Sequence, residues 1–288
     1  MNLSGYLTRA TNEGWAVPHF NVASSAQIRA IVLAARDASA PVMIGTSEKE
    51  AEHLGWSAFP VYVHELSRVH GVPLFANADH MKSLDSAKKA LASGYESIIC
   101  DLSKLPEEQN VQGTASFVQF AHEHSPEVHI EGEFGVIVTD SSKVYEKAIK
   151  VPKESLTKPE EARTFVALTG VDRFASAVGT IHGIAANKPI LDIERIQQIR
   201  GVVPKEVSLV LHGGSGLSDE DFRAGVRAGI ANVHVSTSLR IAFRKGLEAE
   251  LLKNPHELAP YAFEAGAIEA MRLEAMHLME LFGAVGKA

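Results

Sequence analysis

Ser208-Leu209-Val210-Leu211-His212-Gly213-Gly214-Ser215-Gly216 is an apolar, strand-like run that ends on a histidine and breaks at once into glycines. Ser218 follows two residues later and can cap a helix over 219–228. Its first turn, Asp219-Glu220-Asp221, is acidic and suits the positive end of the helix dipole. Two more histidines stand at similar strand exits: His80 in Phe75-Ala76-Asn77-Ala78-Asp79-His80 and His182 in Gly179-Thr180-Ile181-His182-Gly183. A histidine buried for packing alone rarely sits at a strand exit beside glycines. Three of them, with Asp79 next to His80, suggest a metal held by imidazoles with a carboxylate beside it. That is the donor set of a catalytic zinc site with an open coordination position.

Working outward, short β-branched or apolar runs recur along the chain. They predict strands over 17–21, 41–46, 73–77, 97–101, 128–133, 175–179, 208–211 and 233–236. Spread over 288 residues, eight units take about 36 residues each, enough for one strand, one helix and two loops. The segments between them read as helices. Ser24 and Gln27 have capping-box spacing, and Ile28, Ile31, Val32 and Ala35 then share one face. Thr157 and Glu160 repeat that spacing ahead of Phe165 and Leu168, with Gly170 as the stop. Strands alternating with helices imply a parallel sheet, and eight units imply closure into a (β/α)₈ TIM barrel. A doubly wound open sheet is the alternative. The barrel is preferred because candidate site residues come from many different strand ends, which only closure brings together.

The chain is 45% hydrophobic and 22% charged, with a mean hydropathy of +0.00, an ordinary globular composition. A net charge of −7 argues against nucleic acid or an anionic membrane as partner. Cys100 is the only cysteine, so no disulfide can form within the chain and a reducing compartment is expected. The first fifteen residues lack an apolar signal core, and no stretch has the roughly 20 apolar residues of a membrane span. The expected location is cytoplasmic. The longest irregular stretch, 135–158, is polar and charged, as functional lids often are. No composition shift marks a second domain, so 1–288 reads as a single barrel domain with a helical extension over about 262–288. There Ile268, Met271, Ala275, Leu278 and Phe282 lie near one face, to pack on the barrel or cover a subunit interface.

The strand-end residues, in order, are Asn21, Ser47, Asp79-His80, Asp101, Glu133, His182-Gly183, His212-Gly213-Gly214-Ser215 and His234-Val235-Ser236-Thr237. With Phe20-Asn21-Val22 early and Leu281-Phe282-Gly283-Ala284-Val285-Gly286-Lys287-Ala288 at the end, this ordered set resembles the class II, metal-dependent fructose- and tagatose-bisphosphate aldolase family over nearly the whole chain. The resemblance implies one catalytic Zn²⁺ on His80, His182 and His212, polarising a ketose phosphate and stabilising the enediolate left when C3–C4 breaks. It implies that Asp79 takes the C4 hydroxyl proton, and that Asp101 and Glu133 are second-shell or alternative metal ligands, leaving room for a second cation. Gly183, Gly213, Gly214, Ser215, Ser236 and Thr237 match the grip on the dihydroxyacetone phosphate half. Glycine-exposed amides and hydroxyls before helices suit that task. Asn21 and Ser47 match positions on the far side of the pocket.

Departures cluster on the half that handles the carbanion and the incoming aldehyde. His234 replaces an asparagine that binds the reacting hydroxyl, and is expected to reach the metal or its bound oxygen. Ser238 replaces an acidic residue, and Met81 a glycine. Ile137-Val138-Thr139-Asp140-Ser141 replaces the glycines and acids of a mobile loop. Asp140 is the nearest substitute for the carboxylate that exchanges the enediolate carbon's proton, with Glu146 further along. The expected activity is a zinc-dependent aldolase with an altered acceptor pocket. An epimerase or isomerase of sugar phosphates and a silent metal-binding subunit are the rivals. Expected partners are a small sugar phosphate and further copies of the chain, as dimer or tetramer.

Overall fold

A computed structural model describes residues 1–135, 137, 139 and 143–288. In chain order it runs α1 (Leu3–Glu13), β1 (Val17–Asn21), α2 (Ser25–Ala38), β2 (Val42–Thr46), α3 (Glu48–Leu54), α4 (Ala58–His70), β3 (Leu74–Met81) and α5 (Leu84–Ala92). Then come β4 (Ser97–Cys100), α6 (Glu107–His124), β5 (His129–Phe134), α7 (Pro159–Thr169), β6 (Arg173–Ser176) and α8 (Ile193–Val202). The chain ends with β7 (Ser208–Leu211), α9 (Asp219–Arg227), β8 (Ile230–Val235), α10 (Thr237–Lys253), α11 (Pro260–Phe263) and α12 (Ala265–Leu281). The eight strands are parallel and close into a barrel in sequence order, β8 pairing back onto β1 through His19 opposite His234. The fold is therefore the expected (β/α)₈ TIM barrel. Among the described residues no helix is long and apolar enough to cross a membrane.

Local chemistry accounts for most boundaries. The Ser24 hydroxyl accepts from the Gln27 amide at 3.3 Å, and Gln27 reaches back to the Ala23 N–H at 2.7 Å, one residue beyond the usual capping box. Ser218 and Asp221 cap α9 reciprocally, at 3.2 and 3.1 Å. At α7 the expectation is corrected: Lys158 is the N-cap and Glu161 closes the box. Thr157 instead donates to the Phe134 carbonyl at 2.8 Å and accepts from the Ala177 amide at 2.9 Å, tying the exits of β5 and β6 together. Leu168 does not pack inward; it is 60% exposed. Near the start of the chain α1 buries Leu3, Tyr6, Leu7 and Ala10. Its Thr11 hydroxyl meets that of Ser208, the first residue of β7, and Tyr6 packs on Phe75. Helix α1 thus covers the N-terminal mouth of the barrel. At the other end of the chain, Met271, Ala275, Leu278 and Phe282 are buried, and α12 packs on α2 and α10 of its own chain.

The apolar core lies between strands and helices, while the barrel lumen is polar. His19, Asn77, Ser97, Glu131, Arg173 and Asn232 are all fully buried or nearly so, and come from six different strands yet touch one another. Only the lumen permits that. Arg173 is the hub. Its guanidinium donates to Asn232 Oδ1 at 2.7 Å, Asn77 Oδ1 at 3.2 Å and Ser97 Oγ, and pairs with Glu131 at 3.1 Å. This arginine also explains a displaced strand: β6 begins at Arg173, where charge hid it, and Ala177-Val178-Gly179 already leave the sheet. Nearby, Gly45 leaves room for His19, since a Cβ there would lie 2.2 Å from His19 Nε2.

Removing one partner of a buried pair strands the other charge, at a cost of about 3–5 kcal/mol. Arg173→Met should therefore lower unfolding free energy by about that much in urea titration. Adding Glu131→Gln should recover part of it, and equal stability of wild type and Arg173→Met would remove Arg173 as the hub.

Candidate metal centre and substrate cleft

The period-two alternation of a strand decides what reaches the C-terminal mouth. On β1 His19 and Asn21 share the inner face, on β3 Asn77 and Asp79, on β5 Glu131 and Glu133, on β8 Asn232 and His234. The upper member of each pair opens onto the mouth and the lower joins the polar lumen. His80 faces the same way by a different device. Its φ is +53°, in the left-handed region sparsely used by residues other than glycine, at an irregularity in the β3–β4 register between Ala78 and Met81.

His80, His182 and His212 each bring a ring nitrogen within 4.8 Å of the others. His80 Nε2 faces His212 Nδ1 at 3.2 Å. The remaining ring nitrogens are tied back. His80 Nδ1 meets Asp101 Oδ2 at 2.8 Å, His212 Nε2 meets Glu131 Oε1 at 2.6 Å, and His182 Nδ1 meets the Thr139 carbonyl at 3.2 Å. Partners of this kind fix tautomer and ring orientation in metal-binding histidines. Asp101 is itself held by Ser103, whose hydroxyl donates at 2.6 Å. Glu133 Oε2 is buried without a hydrogen-bond partner among the described residues and lies 3.5 Å from His80 Nδ1. His80, Asp101 and Glu133 also place donor atoms within 4.8 Å of one another, the location open to a second cation. Orphaned carboxylate oxygen, converging imidazoles and polar backing together fit a divalent cation.

The charges agree with that fit. Burial opposes protonation of His80, but the Asp79, Asp101 and Glu133 carboxylates outweigh it and lift its pKa to about 10. His212 is also raised, Glu131 overcoming burial, whereas burial and the two neighbouring imidazoles push His182 down to about 3. Burial and the Asp101 charge lift Glu133 to about 7. Asp79 goes the other way: burial is overcome by the imidazoles around it and by the Asn21 amide, and it is held well below the usual carboxylate range. A metal-free site thus carries protons where a cation would sit.

His234 stacks flat between His212 and His19, with ring centroids 4.5 and 3.8 Å away. Its Nε2 addresses Asn232 Oδ1 at 3.0 Å and its Nδ1 lies 3.7 Å from Asp79 Oδ1. Burial, followed by neighbouring positive groups, lowers His234 well below its ordinary pKa; His19 is lowered likewise. Asn21 donates to Asp79 Oδ2 at 2.7 Å, while Asp79 Oδ1 is buried with no hydrogen-bond partner among the described residues.

Two hollows meet at Asn21, Asp79, His80 and His182. One is lined by Gly183, Gly213, Gly214, Ser215, Ser236 and Thr237. There Gly213 has φ +69°, and a Cβ would collide with the Ile181 carbonyl at 2.5 Å. Ser215 Oγ accepts from the amides of Thr237 and Ser238 at 3.0 and 3.3 Å, keeping its own proton to donate. The Ser236 hydroxyl is buried without a hydrogen-bond partner among the described residues. The other hollow, about 550 Å³, takes in Ser47, Glu50, Asp101, Glu133, Thr139 and Arg240. Asp140 lies outside the described residues. Sequence reasoning missed Glu131, His19, Arg173, Glu50 and Arg240. For Glu131 and His19 the alternation was the available signal, each standing two residues before a residue already singled out.

Residues 1–287 match the family of class-II fructose-bisphosphate aldolases. The YdjI aldolase from Escherichia coli K12 superimposes with a TM-score of 0.85 at 27% identity, over 100% of this chain and 98% of that one. A fructose-bisphosphate aldolase (Fba) from Campylobacter jejuni does so at 0.85 and 21% identity, over 99% and 95%, and shows the shared fold. Matched over almost its full length, the chain belongs to the class II fructose-bisphosphate aldolase family, and its enzymatic class is that of an aldolase, a carbon–carbon lyase.

Proposed function

We propose that this enzyme reversibly cleaves a ketose 1-phosphate into dihydroxyacetone phosphate and an aldehyde, using one divalent cation, zinc, on His80, His182 and His212. The observation that carries this reading is the convergence of three ring nitrogens whose opposite nitrogens are already bonded. When bound, the cation supplies a Lewis acid beside the ketose oxygens, which carry the negative charge released by C–C cleavage. Asp101 and Glu131 hold His80 and His212 in orientation, and Glu133 stands by as an alternative donor.

Asp79 is the proton carrier at the C4 hydroxyl. Asn21 fixes its Oδ2 and leaves Oδ1, buried and unpartnered, to accept the proton in cleavage and return it in condensation. His234, held neutral between two other rings, walls Oδ1 off from water. Asp140 is the proposed carrier of the proton on the enediolate carbon. Gly183, Gly213, Gly214, Ser215, Ser236 and Thr237 hold the phosphate, with the unpartnered Ser236 hydroxyl as one donor. This reading includes assembly of the chain into a dimer or tetramer.

The cation competes with the proton on His80. A pKa raised from 6.5 to about 10 stabilises the folded metal-free protein fully below pH 6.5, and that stabilisation is lost as pH rises through 10. With chelator present, stability should fall between pH 6.5 and 9 by up to about 1.4 kcal/mol per pH unit. The rise in Tm on adding zinc should grow over the same interval. Alanine at His80, His182 or His212 should sharply lower zinc content measured by elemental analysis. Full occupancy and activity in all three variants would refute the triad.

Asp79→Asn should retain zinc while kcat for cleavage falls by roughly 10²–10⁴, read as dihydroxyacetone phosphate released from a panel of ketose phosphates. An unimpaired kcat would take Asp79 out of the reaction.

Ser236→Ala removes one donor to a charged group, worth about 1.5–3 kcal/mol. KM for dihydroxyacetone phosphate should rise roughly ten-fold or more at unchanged zinc content. An equal rise for unphosphorylated dihydroxyacetone would show that Ser236 does not serve the phosphate.

A further inference from the structure

Beyond Asp79 the cleft ends in a second set of anion-binding donors, and these are already in use. Glu50 Oε2 accepts from the Ser47 amide and the Ser47 hydroxyl, both at 2.8 Å, and faces Asn21 Nδ2 at 3.5 Å. Its Oε1 is paired with the guanidinium of Arg240. A capping box at the start of α3 requires the bond from the Ser47 amide. It requires nothing of Arg240, which arrives from α10, or of Asn21. Glu50 is 8% exposed, so its charge is poorly screened. All four residues line the hollow away from Gly213 and Ser215.

We infer that Glu50 determines acceptor specificity: its carboxylate occupies the place where these donors could hold a substrate anion, so the acceptor aldehyde is an uncharged hydroxyaldehyde. This rests on the aldolase reading above and names its second substrate. A phosphate entering here would meet a fixed negative charge and would have to break the Glu50–Arg240 pair to find a counter-ion. Lys49, Lys82, Lys104 and Lys143 also line the hollow, but all four are exposed, where solvent and salt screen them, so Arg240 is the poorly screened cation among the described residues that line it. A hydroxyl faces no such penalty, since it can donate to Glu50 and accept from Arg240 together. In condensation the carbon of dihydroxyacetone phosphate that has lost a proton bonds to the aldehyde carbon, and the aldehyde oxygen gains a proton. No charge on the far end of the aldehyde is needed.

The test is condensation of dihydroxyacetone phosphate with glyceraldehyde and, separately, with glyceraldehyde 3-phosphate, acceptors that differ only in the phosphate. The wild-type holoenzyme should show a kcat/KM at least ten-fold higher for glyceraldehyde. Glu50→Gln should shift that ratio at least ten-fold toward the phosphorylated aldehyde, and adding Arg240→Gln should reverse the shift. Ratios within each protein cancel any general loss of activity. A wild-type preference for glyceraldehyde 3-phosphate overturns the inference, as does an unchanged ratio in an active Glu50→Gln variant. The wild-type ratio decides alone if Glu50→Gln fails to fold. Absence of condensation with any aldehyde, together with no exchange of the dihydroxyacetone phosphate carbon proton with solvent, would overturn the aldolase reading itself and this inference with it.

Discussion

Everything at the mouth of this barrel stands on one buried carboxylate. Glu131 is held from one side by Arg173 and from the other by His212, with no solvent exposure on Glu131 or Arg173 and almost none on His212. Neither charge could stay in the lumen without the other. Together they set the ring orientation of His212 and fill space that most such barrels fill with branched aliphatic side chains. Stability and ligand geometry are therefore one problem here. The network that engages both terminal nitrogens of Arg173 also aims His212 Nδ1 at His80.

The architecture was legible because two independent patterns agree. Eight short apolar runs imply eight strands, and histidines at their exits imply that the exits meet. The structure closes the barrel and gathers those exits. What escaped was the lumen. A charged residue in a strand reads as the strand's edge, so Arg173 displaced β6, and Glu131 was passed over for its neighbour Glu133. Only mutual contact among six strands makes such residues tolerable, and a local window shows their alternation but not those partners. Thr157 failed for a related reason: capping spacing describes local partners, whereas its hydroxyl bridges two strand exits that are neighbours only in the barrel.

The site itself divides along the same line. The end proposed to hold the phosphate is built from glycines and hydroxyls that announce themselves in sequence. The end proposed for the acceptor depends on pairings across long separations, Glu50 with Arg240 and His234 with His19, of which His234 alone stood out in the sequence. The substitution of histidine at position 234 acquires meaning only beside His19, against which it stacks. Placed between two other imidazoles and kept neutral by burial, it shapes the surroundings of Asp79 through its bulk and its ring plane.

That stack depends on Gly45. A methyl group at position 45 would overlap the imidazole of His19, so the two positions cannot change independently. Alanine at 45 would force the His19 ring to shift, and with it both the hydrogen bond to Asn77 and the ring against which His234 lies. The absence of one methyl group on β2 thus sets the position of a ring that bears on the surroundings of Asp79.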